Sequence, residues 1–426
     1  MPSSGISDTT RSLNVMRRAL FLSSFPIGVL TLGIPIYAPT RLGSDALQVG
    51  TLMSIYALMT LILRPVVGPA MDRFGRRRFF LAGSALQLFS NVFFATGNSF
   101  EWLFWGRLTQ GVAAGMMWLS AYAITADLAA QGRHGNMFGS VEEMLARGGL
   151  YGGAIGAPIL LLTRFDQRAW SGVFVFYAIL NAIGLALAWR EMPETYQRGE
   201  YRRTDSDLRA LTRPLLMLAS IVFATSLAYF GLAPLLIQFV QAEINDDPIV
   251  LGLAYIPSAI VFAFLQSRLG KLADRVGRKP PIAVGMITSG MSSAIIPLLP
   301  ALIPSIGQWV LLPLVGLWVC EAVALSAATP AEQALVADLS SEKDRGKAFG
   351  LYTTAQSLGQ VIGPTFSGYL YESVSHSAPF YFNMIVLWLA AVIIVLFIQD
   401  PRGRQVARPV LPHEPPSQWP SAGGAP

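Results

Sequence analysis

The sequence is poor in the residues that most chemistry needs. A single cysteine, Cys320, stands among 426 residues, so disulfides supply nothing and redox chemistry has no pair to use. The three histidines, His134, His376 and His413, fall in expected loops or the tail, which leaves no His/Cys cluster of metal-ligand spacing in any apolar stretch. Neither a cofactor nor a metal-centred enzyme is expected. Charge is scarce as well: Asp, Glu, Lys and Arg make up 13% of the chain, about half of what a soluble domain carries.

What fills the space is apolar. The chain is 53% hydrophobic with a mean hydropathy of +0.49, and stretches such as 19–39, 79–97 and 214–237 exceed the ~18 apolar residues that mark a transmembrane helix. Cutting at charged and Pro/Gly-rich breaks gives spans near 17–40, 47–71, 79–97, 102–128, 137–163, 169–190, 214–240, 249–269, 281–303, 306–337, 346–372 and 378–399. An all-α integral membrane protein with twelve transmembrane helices is expected. Residues 1–16 are polar, and the apolar run after Arg17 and Arg18 lacks a small-x-small cleavage site, so it reads as a retained first helix. Residues 401–426 hold seven prolines and no apolar period, the composition of a disordered tail.

Lys and Arg set the orientation. With both termini inside, most of the 31 basic residues fall in cytoplasmic segments, and only Arg41, Arg164 and Arg168 fall outside. Both termini cytoplasmic, in a plasma (inner) membrane, is the expected placement. The net charge of +6 is then a topology signal, and no nucleic-acid partner is implied.

The chain is also built twice. The break at 191–213 divides it into bundles at 17–190 and 214–400, two pseudo-symmetric sets of six helices. "ITADL" at 124–128 returns as "LVADL" at 335–339, and "MFGS" at 137–140 as "AFGL" at 348–351, both 211 residues on. "GPAMDRFGRRRF" at 68–79 returns as "GKLADRVGRK" at 270–279. Such duplication marks transporter folds, with a substrate site near the midplane between the halves. In each copy an aspartate, Asp72 or Asp274, ends a membrane helix beside a tight glycine turn, where a carboxylate can cap a neighbouring helix or pair with arginines. That is a latch between halves; plain positive-inside anchoring accounts for Arg77 and Arg78.

Ionisable residues inside the spans are the next signal, because each needs a partner or a wet cavity. Arg64, Arg107, Glu142, Glu143, Arg147 and Glu321 qualify, with Glu332 nearer the cytoplasmic end. Glu143 and Arg147 have the i, i+4 spacing of an intrahelical pair. Glu142 is one position round, able to reach Arg64 or exchange a proton. Glu321 is mid-helix with no charged neighbour within a turn, so Glu142 and Glu321 are the candidates for proton coupling. Gly148, Gly152 and Gly156 form a small-residue face, followed by Pro158, that suits either static packing or a sliding interface. Trp118, Met116, Met117, Tyr122, Tyr229 and Tyr255 either line a cavity or pack.

The residues that repeat also carry a resemblance. Gly68, Asp72, Arg73, Gly75 and Arg76, and again Gly270, Asp274, Arg275, Gly277 and Arg278, resemble the loop signature of the major facilitator superfamily. "RLTQGVAAG", with Arg107, Gln110, Gly111 and Gly115, is similar to the helix 4 motif of its twelve-helix drug and proton antiporters. Gly139, Gly148, Gly152 and Gly156 follow the antiporter glycine spacing in helix 5, with Gly152-Gly153 in place of the Gly-Pro step. Gly350, Gly359 and Gly363-Pro364 repeat it in helix 11. The resemblance covers about residues 17–400 and implies a monomeric transporter working by alternating access, with proton-coupled export of a small amphipathic molecule. An importer or lipid flippase of the same fold is the alternative, and a non-transporting receptor or scaffold the alternative of another class. Residues 19–39 lack the acidic residue many such exporters carry; the arginines within the spans suit an anionic or zwitterionic substrate.

Overall fold

The computed structural model describes residues 3–128, 134–195, 213–339 and 345–398. They are helical throughout, with no strand among the described residues. The first half holds α1 (Ser3–Ser23), α2 (Phe25–Leu42), α3 (Ala46–Phe74), α4 (Arg76–Thr96), α5 (Phe100–Leu128), α6 (His134–Leu162) and α7 (Gln167–Glu191). The second holds α8 (Arg213–Glu243), α9 (Pro248–Val276), α10 (Lys279–Ile295), a 3-10 continuation at Ile296–Leu302, the short α11 (Ile303–Ile306), α12 (Leu311–Asp338), α13 (Arg345–Ser373) and α14 (Ala378–Phe397).

Eight stretches of the described residues are long and apolar enough to cross a membrane, one of them, Lys279–Val336, covering two of the expected spans. The helices α5, α9 and α13 do not reach that mark over a full span; a shorter apolar stretch of α9 runs over Ile249–Val261. Most of the linker, residues 196–212, and the expected tail, 401–426, lie outside the described residues. The backbone of α1 is helical from Ser3, ahead of the first expected span, and Leu13, Val15 and Met16 are buried. Ser24 separates α1 from α2 with helical backbone angles (φ −92°, ψ −6°), and its hydroxyl donates to the Leu20 carbonyl, so the two form one rod with a local break.

The duplicated strings occupy equivalent turns. Gly75 joins α3 to α4 at φ +94°, and Gly277 joins α9 to α10 at φ +92°, a region that admits glycine and strains other residues. They mark one end of the molecule, the turn end. There Phe80, Met117, Ile124, Val141 and Ala188 pack the first half with α1, and Leu215, Ile282, Val336, Ala348 and Ile398 pack the second.

The repeated glycines are packing positions within each bundle. A Cβ at Gly148 would meet the Phe21 carbonyl at 2.5 Å, and one at Gly152 would fall on the Phe25 carbonyl, so α6 touches the α1–α2 rod backbone to backbone. In the second half, Gly359 faces the Leu227 amide (2.6 Å) and Gly363 the Leu227 carbonyl, joining α13 to α8 in the same way. Gly156 lies against Val29, Val173 and the Tyr177 hydroxyl, while Pro158 is exposed.

The described contacts between the halves fall at the far end, opposite the turns. Asp45 and Gln48 close a capping box on α3; beside it Glu372 of α13 accepts from the Ala46 amide at 2.9 Å. The Thr365 hydroxyl donates to the Ser54 hydroxyl at 2.9 Å. A Cβ on Gly50 would run into the Pro364 carbonyl, and one on Gly252 into Leu161. Ala46 belongs to the far-end core of the second half, and Ile237 packs on that of the first. Two bundles are thus hinged together at one end, with no described contact between them at the other.

Candidate functional site

The turn end is held by basic side chains that clamp α4 and α10 to their own bundles. The Arg76 guanidinium donates to the Ala123 carbonyl at the end of α5, and Arg77 to the Trp189 carbonyl of α7 at 2.5 Å. In the second half Arg278, buried, pairs with Asp338 at the end of α12 at 3.2 Å, and Lys279 donates to the Val395 carbonyl of α14 at 2.7 Å. The clamp repeats helix for helix. Glu194, beyond α7, accepts from the Arg76 amide at 2.9 Å and from the Arg77 amide, so its carboxylate caps the N-terminus of α4. A Cβ on Gly75 would strike that carboxylate, a second reason for glycine there.

Gly68 has open space around it, and Arg73 lies over the Phe74 ring at 5.2 Å. The side chains of Asp72, Glu142, Asp274 and Arg275, and the surroundings of Gly270, lie outside the described residues, although their backbones are helical.

Arg107 is buried between α5 and α3. Its Nε donates to the Leu52 carbonyl (3.0 Å) and Nη1 to Gln110 Oε1 (2.8 Å), and the guanidinium lies 4.6 Å from the centre of the Tyr56 ring. Hydrogen bonds and a ring face therefore replace water for this cation, with no described carboxylate on it. The other three charges expected to be buried are exposed. Arg64 has no described ion pair, and Glu143 and Arg147 form the expected pair at 2.5 Å with both side chains about half open. A charge inside a span must be paired or wet, and Glu143 and Arg147 take the first course.

Glu321 is on α12 about 15 Å along the helix axis from its far-end start, at ~1.5 Å per residue. The Ser289 hydroxyl of α10 donates to its carboxylate. Tyr255 of α9 meets Trp318, one turn before Glu321 on α12, edge to face at 6.1 Å. Eleven residues on, Glu332 lies beside Tyr352 of α13. The roles of Glu194 and Asp338 escape a reading of the sequence, because their partners Arg76 and Arg278 are 118 and 60 residues away in the chain. His/Cys/Asp/Glu groups able to hold a metal are absent among the described residues.

Two duplicated membrane bundles, joined at one end and carrying ionisable side chains within their spans, define a secondary transporter rather than an enzyme. The chain belongs to the Major Facilitator Superfamily, whose family model matches residues 19–319 and 218–421. It is 23% identical to the class E tetracycline resistance protein of Escherichia coli over 397 residues, 90% of this chain and 94% of the relative. It is 24% identical over 383 residues to multidrug resistance protein 1 of Bacillus subtilis (strain 168), with 88% and 93% covered. The quinolone resistance protein NorA of Staphylococcus aureus is 24% identical over 399 residues, with 91% and 98% covered. Among solved structures, an inward-facing, occupied bacterial homologue of the human lysosomal transporter Spinster shares the fold at a TM-score of 0.66 and 17% identity, covering 91% of this chain and 93% of that one. A POT family transporter bound to a thioalcohol-conjugated peptide does so at 0.67 and 15%, covering 93% and 97%.

Proposed function

We propose that this transporter exports a small amphipathic molecule in exchange for protons, by alternating access. The observation that carries the reading is Glu321: a carboxylate inside the second bundle, bonded to the Ser289 hydroxyl, with no described cation on it. A carboxyl group in that setting can hold a proton in one state and release it when the setting changes. Tetracycline, quinolone and multidrug resistance relatives favour export of a drug-like solute.

On this reading the turn end faces the cytoplasm, with both termini, and the conformation described here is inward-open. The far-end seam of Ala46, Gly50, Ser54, Pro364, Thr365 and Glu372 is the closed outer gate. Asp72 and Asp274 act in the opposite state, when the turn ends of the two halves meet and each aspartate can cap a helix of the other bundle. Arg107 keeps α3 registered on α5, and Glu142 is a second proton carrier near the cytoplasmic mouth. The unit is a monomer.

The test is substrate accumulation in inverted vesicles under an imposed pH gradient. Glu321→Gln keeps shape and hydrogen bonding but cannot cycle a proton, so accumulation should vanish while ligand binding stays measurable. Wild-type accumulation by Glu321→Gln and Glu142→Gln alike would remove the carboxylates from the coupling.

A further inference from the structure

At the far end, the last turns of α13 clasp the start of α3 across the two halves. A Cβ on Gly368 would strike the Ala46 carbonyl at 2.7 Å and Leu47 Cα at 2.9 Å, so the backbones touch there. Tyr371 is buried in the core that also holds Ala46, and Glu372 accepts from the Ala46 amide at 2.9 Å. Behind this clasp, His376, in the turn between α13 and α14, stacks flat on the Tyr371 ring, with centroids 4.4 Å apart and planes 12° from parallel. Its Nδ1 lies 2.9 Å from Glu243 Oε1 at the end of α8. One imidazole therefore joins the ends of α8 and α13, through the residue next to the one that holds α3.

That position makes the charge of the imidazole count. Glu243 is the last residue of α8 and Glu372 is one residue from the end of α13, so each carboxylate sits at the helix end whose free carbonyls already carry partial negative charge. Neither of them, nor Asp45 at the start of α3 across the seam, is paired with a Lys or Arg among the described residues. Ala378, Pro379 and Phe380, which open α14, are not ionisable. Neutral His376 offers Glu243 a hydrogen bond; protonated, it adds a positive charge beside that carboxylate and at two helix C-termini. Glu372 meets Ala46 only while the last turn of α13 keeps its helical form, and a cation at that end stabilises the turn. Histidine is the side chain whose charge changes between about pH 5 and 8, and this one is about half exposed, at the end of the molecule proposed to face outside.

We propose that His376 is an acid-sensitive pin on the seam: protonated, it ties the end of α13 to α8 and holds the clasp on α3 closed; neutral, it lets the clasp open. The inference rests on the proposed function, in which this end is the outer gate. Protonation of a histidine at an interface then shifts a two-state element toward its closed form. Acid outside is what drives proton entry through such an exporter, so the pin acts as a brake, keeping the outer gate shut as the exterior acidifies.

The experiment is double electron–electron resonance on the full chain in lipid nanodiscs at pH 8 and pH 5.5. Spin labels go on Arg168→Cys in α7 and Ser305→Cys in α11, both exposed at the far end, in a Cys320→Ser background. In this parent the ratio of seam-closed to seam-open distances should rise by roughly two- to fivefold from pH 8 to pH 5.5. His376→Gln should lose that rise, Glu243→Gln should reduce it, and His376→Lys, charged at both pH values, should keep the closed population high at both. A rise of parental size in His376→Gln, or an unchanged ratio in the parent, overturns the pin and leaves alternating access standing. A single distance in every variant at both pH values overturns the alternating-access reading and the pin with it.

Discussion

Arg107 and Gln110 on α5 occupy the positions that Trp318 and Glu321 occupy on α12, 211 residues later. The same offset relates Gly148 to Gly359 and Gly152 to Gly363, and those pairs kept both residue and contact. A shift of 202 residues relates Asn181 to Asn383, both buried and both donating to a serine hydroxyl. Where backbones must touch or a buried amide must be held, the halves stayed alike, since any larger side chain would part the helices. At the mid-span position of α5 and α12 they diverged: one half holds a cation bonded to the Leu52 carbonyl and Gln110, the other a carboxylate bonded to one serine. The scaffold is symmetric and the chemistry is not.

The largest expected effect tests that asymmetry. Glu321→Gln should lower gradient-driven accumulation by about tenfold or more, whereas Gln110→Glu, which makes the halves alike at this position, should leave coupling intact because the new carboxylate lies against Arg107. Vesicle uptake at several pH gradients reads both.

Next come the repeated contacts. Asp338→Ala strands much of the buried charge of Arg278 and should cost about 3 kcal/mol, seen as a lower melting temperature in detergent. Gly152→Ala and Gly363→Ala each force a Cβ into a facing carbonyl and should cost about 1–3 kcal/mol; the comparison of halves requires the two losses to be similar. The smallest effect belongs to the first half alone: Glu194→Gln weakens the cap on α4 by about 0.5–1 kcal/mol, with no described counterpart at Gly277.

Much of this scaffold is legible in the sequence because it is local or repeated. The Gly75 and Gly277 turns, the glycine faces and the Glu143–Arg147 pair all follow from spacing along one helix or from the duplicated strings. The partners of the charges are not legible. Ser289 and Glu321 are 32 residues apart, Arg278 and Asp338 60, and Arg76 and Glu194 118; only the fold brings them together. Hydropathy registers a span but not which face of it packs on another helix, so the exposure of Arg64 and Arg147 is not legible either. The break at Ser24 escapes the sequence for a related reason: it sits where α6 presses its glycines on the rod, a contact made by a helix more than a hundred residues away.

The far-end seam offers the most direct test of alternating access. In a Cys320→Ser background, Ser54→Cys and Thr365→Cys place two thiols where the hydroxyls now stand 2.9 Å apart, so oxidation can lock the halves together at that end. Substrate transport by the oxidised protein should fall to background and return on reduction, because the seam must open once per cycle. Transport at the wild-type rate through a fully cross-linked seam would contradict alternating access for this chain.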